Sequence, residues 1–393
     1  MAKEKKQTAS EPVQQEAPKK KNGFFGRLFT LILLLAVVLA AAVLTTMKDG
    51  NQFANLRRWL MYGDRSETKN LYTYASDQNN QFGQLGGDLL VVTPNSIRLL
   101  QGNGTAVYDQ QISLAAPKLS VGKDQAAVCD VGGSTLYVLD STGIVRTMTL
   151  ERGLCYYTAR MNENDYLTVV SQKSGYKAAV EVYDAEGQLL FHFDSHDNYL
   201  SDAVVTADNK SLLLVAMEEM GGSFASSLVT YDLSSAQQTG ESSVRDGLIL
   251  DFLVEGDKIL ALCDKRLTIT TMEGETLLNR SYDNLYLHDY ALSGDDFCAL
   301  LLGRYQSGNV GDLITYDLNG DKIAEMEITE EVLDISAAGN YLAVLYSDSL
   351  VLYTSDLQEY SRMDDTDYAA QVRMEQSGTA LVIAATSAWR YLP

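Results

Sequence analysis

Few side chains in this sequence are spaced for chemistry, and the densest group is FHFDSHD at 191–197. In a strand, alternation sets His192, Asp194 and His196 on one side, and these are residue types that hold zinc. No third strong ligand is supplied elsewhere, and the chain has three His in all, so the stretch reads first as a polar outer strand running into its connection. His288, beside Asp289, reads as a structural histidine. No Gly-x-Ser-x-Gly elbow, Walker loop, dinucleotide fingerprint or EF-hand loop is present, so no catalytic set and no cofactor is implied. Cys129, Cys263 and Cys298 lie inside apolar runs and read as small buried hydrophobes, and Cys155 is also in a strand-like stretch. Recognition by contact has better material. Three Gly-containing segments, 171–178 (SQKSGYKA), 218–227 (EEMGGSFASS) and 303–312 (GRYQSGNVGD), carry Tyr176, Lys177, Glu218, Glu219, Met220, Phe224, Arg304 and Tyr305. Aromatic, Met and Arg side chains on loops suit protein binding.

The elements that position these residues come from a repeat. From residue 70 onward the chain shows short runs of β-formers broken by Gly, Asp, Asn and Ser, with no convincing amphipathic helix. One unit recurs: LYVLDSTG (136–143), VEVYDAEG (180–187), LVTYDLSS (228–235) and LITYDLNG (313–320), with weaker copies IRLLQGNG (97–104), LTITTMEG (267–274) and LVLYTSDL (350–357). The ends of these copies are spaced by 39, 44, 48, 39, 46 and 37 residues, a period near forty. A strand–turn–strand unit at that period is the signature of a β-propeller blade. Asp140, Asp184, Asp232 and Asp317 precede the turns and are expected to accept backbone hydrogen bonds there.

The last unit has strands expected at 367–375, 379–386 and 388–392 but no outermost strand, while NLYTYAS at 70–76 is β-rich with no blade of its own. Pairing the two closes the ring and removes open edges. The expected fold is therefore all-β, an eight-bladed β-propeller over 70–393. Seven blades is the alternative if one weak copy belongs to its neighbour. The three long spacings place the segments 171–178, 218–227 and 303–312 between equivalent strands, hence on one face of the disc.

The repeat resembles the quinoprotein-like and WD-repeat-like propellers over 70–393, although the WD dipeptide and its Gly-His partner are missing. Trp59 and Trp389 are the only tryptophans, so the resemblance does not extend to the repeated tryptophans or cofactor pocket of quinoprotein enzymes. With its N-terminal features, the chain also resembles membrane-anchored propeller proteins of unknown function in Gram-positive Firmicutes.

Those features are a basic tail at 1–27, with seven Lys/Arg against three Glu, and twenty uncharged, largely apolar residues at 28–47. Twenty helical residues span about 30 Å, a bilayer's hydrocarbon core. The chain's net charge is −21, so the remainder after the tail carries −25. A positive N-terminal flank predicts a cytosolic, disordered tail, a single-pass signal-anchor and an extracellular domain. A cleaved signal peptide is the rival reading, and the lengths of the leader and apolar run favour the anchor. Residues 48–69 are expected to form a juxtamembrane helix and linker, with Arg57, Arg58 and Trp59 at the membrane interface. The acidity argues against nucleic acid as a partner.

The expected function is a cell-membrane-anchored extracellular platform that binds envelope proteins or a wall or surface ligand. The alternative is a cell-surface hydrolase or lyase acting on wall polymer, which would need carboxylates converging in the central funnel. A third reading, a cation or small-ligand binder, rests on the acidity alone.

Overall fold

A computed structural model describes residues 72–220, 223–244 and 247–393. The tail (1–27), the expected span (28–47), the linker (48–69) with Arg57, Arg58 and Trp59, and residues 70 and 71 lie outside the described residues. Among those described, no helix is long and apolar enough to cross a membrane.

The strands form eight four-stranded antiparallel sheets. Seven are consecutive in sequence: blades 1 to 7 occupy 81–111, 117–149, 156–195, 199–244, 249–281, 286–328 and 332–364. Blade 8 takes its first three strands from Gln371–Met374, Ala380–Ile383 and Ser387–Tyr391, and its outermost from Tyr72–Thr73 at the other end of the chain. Tyr72 pairs with Ala388 and Thr73 with Ser387. The ring thus closes as the repeat arithmetic requires, with eight blades and not seven. All the weak repeat copies are third strands of blades of their own.

Apolar side chains on both faces of the middle strands explain the cohesion. Eight buried clusters lie between successive sheets, each drawing on two neighbouring blades. One of these joins Tyr72, Tyr74, Leu381 and Ile383 to Leu89 and Val91 of blade 1, so the closure is also a hydrophobic one. Cys129, Cys263 and Cys298 are buried among these cores as free thiols, and Cys129 and Cys263 are pushed up to about 12 by burial first.

Antiparallel order fixes the two faces. First strands of neighbouring blades contact one another at most of the junctions and form the inner wall. The connections from strand 2 to strand 3, and from each blade to the next, therefore share one face, here the upper. Turns between strands 1 and 2 and between strands 3 and 4 share the lower face. The lower turns bear out the sequence reading. Asp140 accepts Thr142 N–H at 2.7 Å, Asp184 accepts Gln188 N–H at 2.6 Å, Asp232 accepts Ser235 N–H at 2.8 Å, and Asp317 accepts Asn319 and Asp321 N–H at 2.8 Å. Hydrogen bonds from Ser234 and Ser235 hold the Asp232 carboxyl down at about 2. Gly187 and Gly320 supply the positive φ (84° and 82°) those turns need.

Candidate functional site

The segments singled out for recognition all reach the upper face, in blades 3, 4 and 6. Those at 171–178 and 303–312 hold the loops between strands 2 and 3, at 172–177 and 304–310. The segment at 218–227 is not a loop. Strands Ser211–Met220 and Ser223–Asp232 continue to its tip, pairing Glu218 with Ala225, Glu219 with Phe224 and Met220 with Ser223. The extra length of blade 4 is a longer hairpin.

Blades 3 and 4 bring several of these residues into one neighbourhood. The Tyr176 ring lies 4.7 Å from that of His196. Lys177 Nζ donates to the Asp197 carbonyl at 2.7 Å and sits 4.9 Å from the centroid of the Tyr199 ring. Asn198 Nδ2 donates to Glu218 Oε1 at 3.2 Å, tying the connection between the blades to the hairpin. Arg304 and Tyr305 stand apart on blade 6, with blade 5 between. Arg304 turns outward to Glu327 (2.8 Å) and Asp312 (3.6 Å), while Tyr305 is two-thirds exposed (67%).

The histidine stretch resolves into two halves. His192 Nε2 is 2.9 Å from Asp194 Oδ1 on the outer strand of blade 3. His196 lies past the strand end and packs on Tyr176. Among the described residues, no group of three His, Cys, Asp or Glu is placed to hold a metal ion.

Large exposed apolar side chains show how the two faces differ. Val107, Val145, Leu189, Leu190, Leu277 and Ile323 lie on outermost strands. The others, Val131, Tyr176, Tyr199, Phe224, Leu250, Tyr286, Tyr305, Leu333 and Tyr368, stand at the upper face. Val107, Leu189, Leu190, Leu277 and Ile323 fall at the lower ends of those outermost strands, so the faces differ in aromatics and not in aliphatics: among the described residues every exposed aromatic is on the upper face. Tyr368, 96% exposed, sits in a connection where Asp365, Asp367 and Tyr368 itself hold φ of 66°, 48° and 62°. Three cavities, of about 310, 570 and 770 Å³, also open on the upper face, over blades 5 to 7.

The inner wall holds a set of residues that the sequence reading did not single out. Asp202, Asp251, Asp289 and Asp334 occupy equivalent positions on the first strands of blades 4 to 7, each just after a bulge in the register. Three of the carboxylates cap the next backbone N–H on their own strand: Ala203 at 2.9 Å, Phe252 at 2.9 Å and Tyr290 at 2.8 Å. A bulge disrupts the ladder, and a short acidic side chain satisfies the amide it frees. The other carboxylate oxygens reach across blades. Ile335 N–H donates to Asp289 at 3.0 Å and Val372 N–H to Asp334 at 2.7 Å. Arg160 of blade 3 bridges Asp202 and Asp251, at 2.6 and 2.8 Å. Burial alone would lower the Arg160 guanidinium, but these two carboxylates outweigh it and raise it. Tyr290 is pushed up to about 12 by burial, then by its contact with Asp251. Arg373 pairs with Asp334 at 3.1 Å. Asp289 forms no ion pair among the described residues. Desolvation, then Asp334, pushes it up to about 6, and burial likewise raises Asp334. Carboxylates thus do converge at the channel, but their oxygens are engaged in latching blade to blade.

A closed ring of eight four-stranded blades, with bulged inner strands and a last blade completed by the N-terminal strand, defines a β-propeller. Solved propellers are similar in fold. They include BamB from Moraxella catarrhalis (TM-score 0.54, 14% identity, 82% of this chain and 100% of that one). The C-terminal WD40 domain of Sif2 (0.56, 14%, 78% and 92%) and a eukaryotic initiation factor (0.56, 10%, 81% and 90%) are further examples. No curated protein matches the sequence. The chain belongs to the family of unknown function DUF5711, whose model matches residues 63–387.

Proposed function

We propose that this propeller is a membrane-anchored extracellular platform that binds a protein partner of the cell envelope through its upper face. The observation that carries the reading is the one-sided distribution of exposed aromatics, since Tyr, Trp and Phe held out of a core on one face are the material of protein interfaces. The anchor rests on the uncharged segment at 28–47 and its basic flank. The long hairpin of blade 4 and the loops of blades 3 and 6 add reach to the upper face.

The test is crosslinking in intact cells, purification of the full-length tagged protein, and mass spectrometry of what accompanies it. It is run beside a variant with Tyr176→Ser, Phe224→Ser and Tyr305→Ser. A stoichiometric envelope protein recovered with the parent and lost from the variant is expected. An unchanged set of companions would overturn the reading.

A further inference from the structure

The three upper-face cavities adjoin one another. The one over blade 5, lined by Lys265, Arg266 and Tyr286, shares His288 with the one at the junction of blades 6 and 7. The latter, lined by Asp289, Leu333 and Asp334, shares Glu330 with the one over blade 7. They mark a row of depressions, a groove that follows the upper face over blades 5, 6 and 7. Its apolar and aromatic borders are Tyr286, Leu333 and Tyr368, all exposed.

Charge is distributed unevenly along it. At the blade 7 end, Glu330, Asp348 and Asp364 are exposed, and none forms an ion pair among the described residues. The one cation lining that cavity, Arg362, is held by Glu359 on its own strand at 3.2 Å. At the junction of blades 6 and 7, Asp289 adds a further carboxylate without an ion-pair partner among the described residues. At the blade 5 end, Lys265 and Arg266 stand against Asp264, whose Oδ1 accepts Leu248 N–H at 3.0 Å. Carboxylates strung along a groove, without three gathered at one point, match a row of charges and not a single ion.

We propose that this groove takes an extended cationic polypeptide segment, its Lys or Arg side chains meeting Glu330, Asp348 and Asp364 and its apolar side chains lying against Tyr286, Leu333 and Tyr368. This deepens the platform reading and rests on it, because the groove is part of the same upper face. Complementary charge steers such a segment in and fixes its direction, acidic end to basic end, and the aromatic borders supply the apolar contact. The same carboxylates repel nucleic acid and anionic polymers.

The probe is a fluorescein-labelled peptide of alternating Lys and Leu, titrated by anisotropy against the full-length protein in uncharged detergent. The same peptide with Glu for Lys is the control. The groove variant is Glu330→Gln with Asp348→Asn and Asp364→Asn. A second variant removes equal charge from exposed lower-face acids: Glu186→Gln, Glu255→Gln and Glu273→Gln. All the substituted acids are solvent-exposed, and unchanged melting of both variants confirms that they fold. Saturable binding of the Lys peptide alone is expected. The groove variant weakens it about tenfold, the lower-face variant by no more than about twofold, and Tyr368→Ser measurably. Equal losses in the two triple variants would mean diffuse attraction to an acidic protein, and would overturn the proposal, as would no loss in the groove variant. If the peptide ignores the groove while the upper-face aromatics still govern crosslinking in cells, the platform reading stands and the cationic segment falls.

Discussion

Asp289 is the inner-wall acid for which the chain's pH response is easiest to derive. Its carboxyl is raised from an ordinary value of 3.8 to about 6, through burial first and then the neighbouring Asp334. Between those pH values the folded chain holds a proton that the unfolded chain releases. The contribution of Asp289 to stability is therefore full below about pH 4, falls as pH rises through the window, and is lost above about 6. The shift corresponds to about 3 kcal/mol at most. Asp289→Asn is expected to flatten the melting temperature between pH 4 and 7 when thermal unfolding is followed by circular dichroism, leaving a residue of pH dependence from Asp334. An unchanged slope would show that Asp289 ionises freely in the folded ring. At this scale the sequence was only partly legible. Asp140, Asp184 and Asp317 announced themselves through the glycine that follows them, and Asp232 through its place in the repeat. The inner-wall acids were just as periodic, in LSDAVV, LILDFL, LHDYAL and VLDISA, but that register belongs to the first strand of each blade. Reading the repeat from the third strand left them unaligned.

Among the elements, the two-residue strand Tyr72–Thr73 carries the most structural weight for its length. It supplies the outer edge of blade 8, and Arg98 Nη1 of blade 1 donates to the Thr73 carbonyl at 3.0 Å. The Tyr72 side chain is fully buried, yet its hydroxyl has no hydrogen-bond partner among the described residues. The two properties predict opposite outcomes. Tyr72→Ala removes a packed ring from the closure and is expected to cost about 3–5 kcal/mol in chemical denaturation. Tyr72→Phe removes only an unsatisfied polar group and is expected to hold or raise stability. A Phe variant as damaged as the Ala variant would show that the hydroxyl, not the ring, closes the blade. The need for this strand was legible because the last unit came up one strand short. The tip of blade 4 was not, since Gly221 and Gly222 suggest a loop as readily as the hairpin turn they also suit. Only the pairing of Glu218, Glu219 and Met220 with their partners decides between the two.

At the scale of the whole molecule, the count, order and closure of the blades were legible because each blade must bury both of its faces, and that need repeats every forty residues or so. Which side chains share a face was legible only in outline. The sequence set the connections of blades 3, 4 and 6 together, but Tyr199, Leu250, Tyr286, Leu333 and Tyr368 join them through strand starts and inter-blade links that carry no insertion. Folding also separates Arg304, drawn outward by Glu327, from the aromatics it resembles in sequence. What emerges from the described residues is a ring of blades with a turn-built lower face that lacks exposed aromatics and an aromatic upper face that carries the acidic groove. The most direct test of that division is photo-crosslinking in living cells, with a photoreactive residue placed in turn at Tyr199, Phe224 and Tyr305 above and at Ser141, Glu186 and Glu273 below. Adducts to one discrete partner from the upper positions, and none from the lower, are the predicted result. Adducts from the lower positions, or from neither set, would contradict the assignment of the upper face as the binding face.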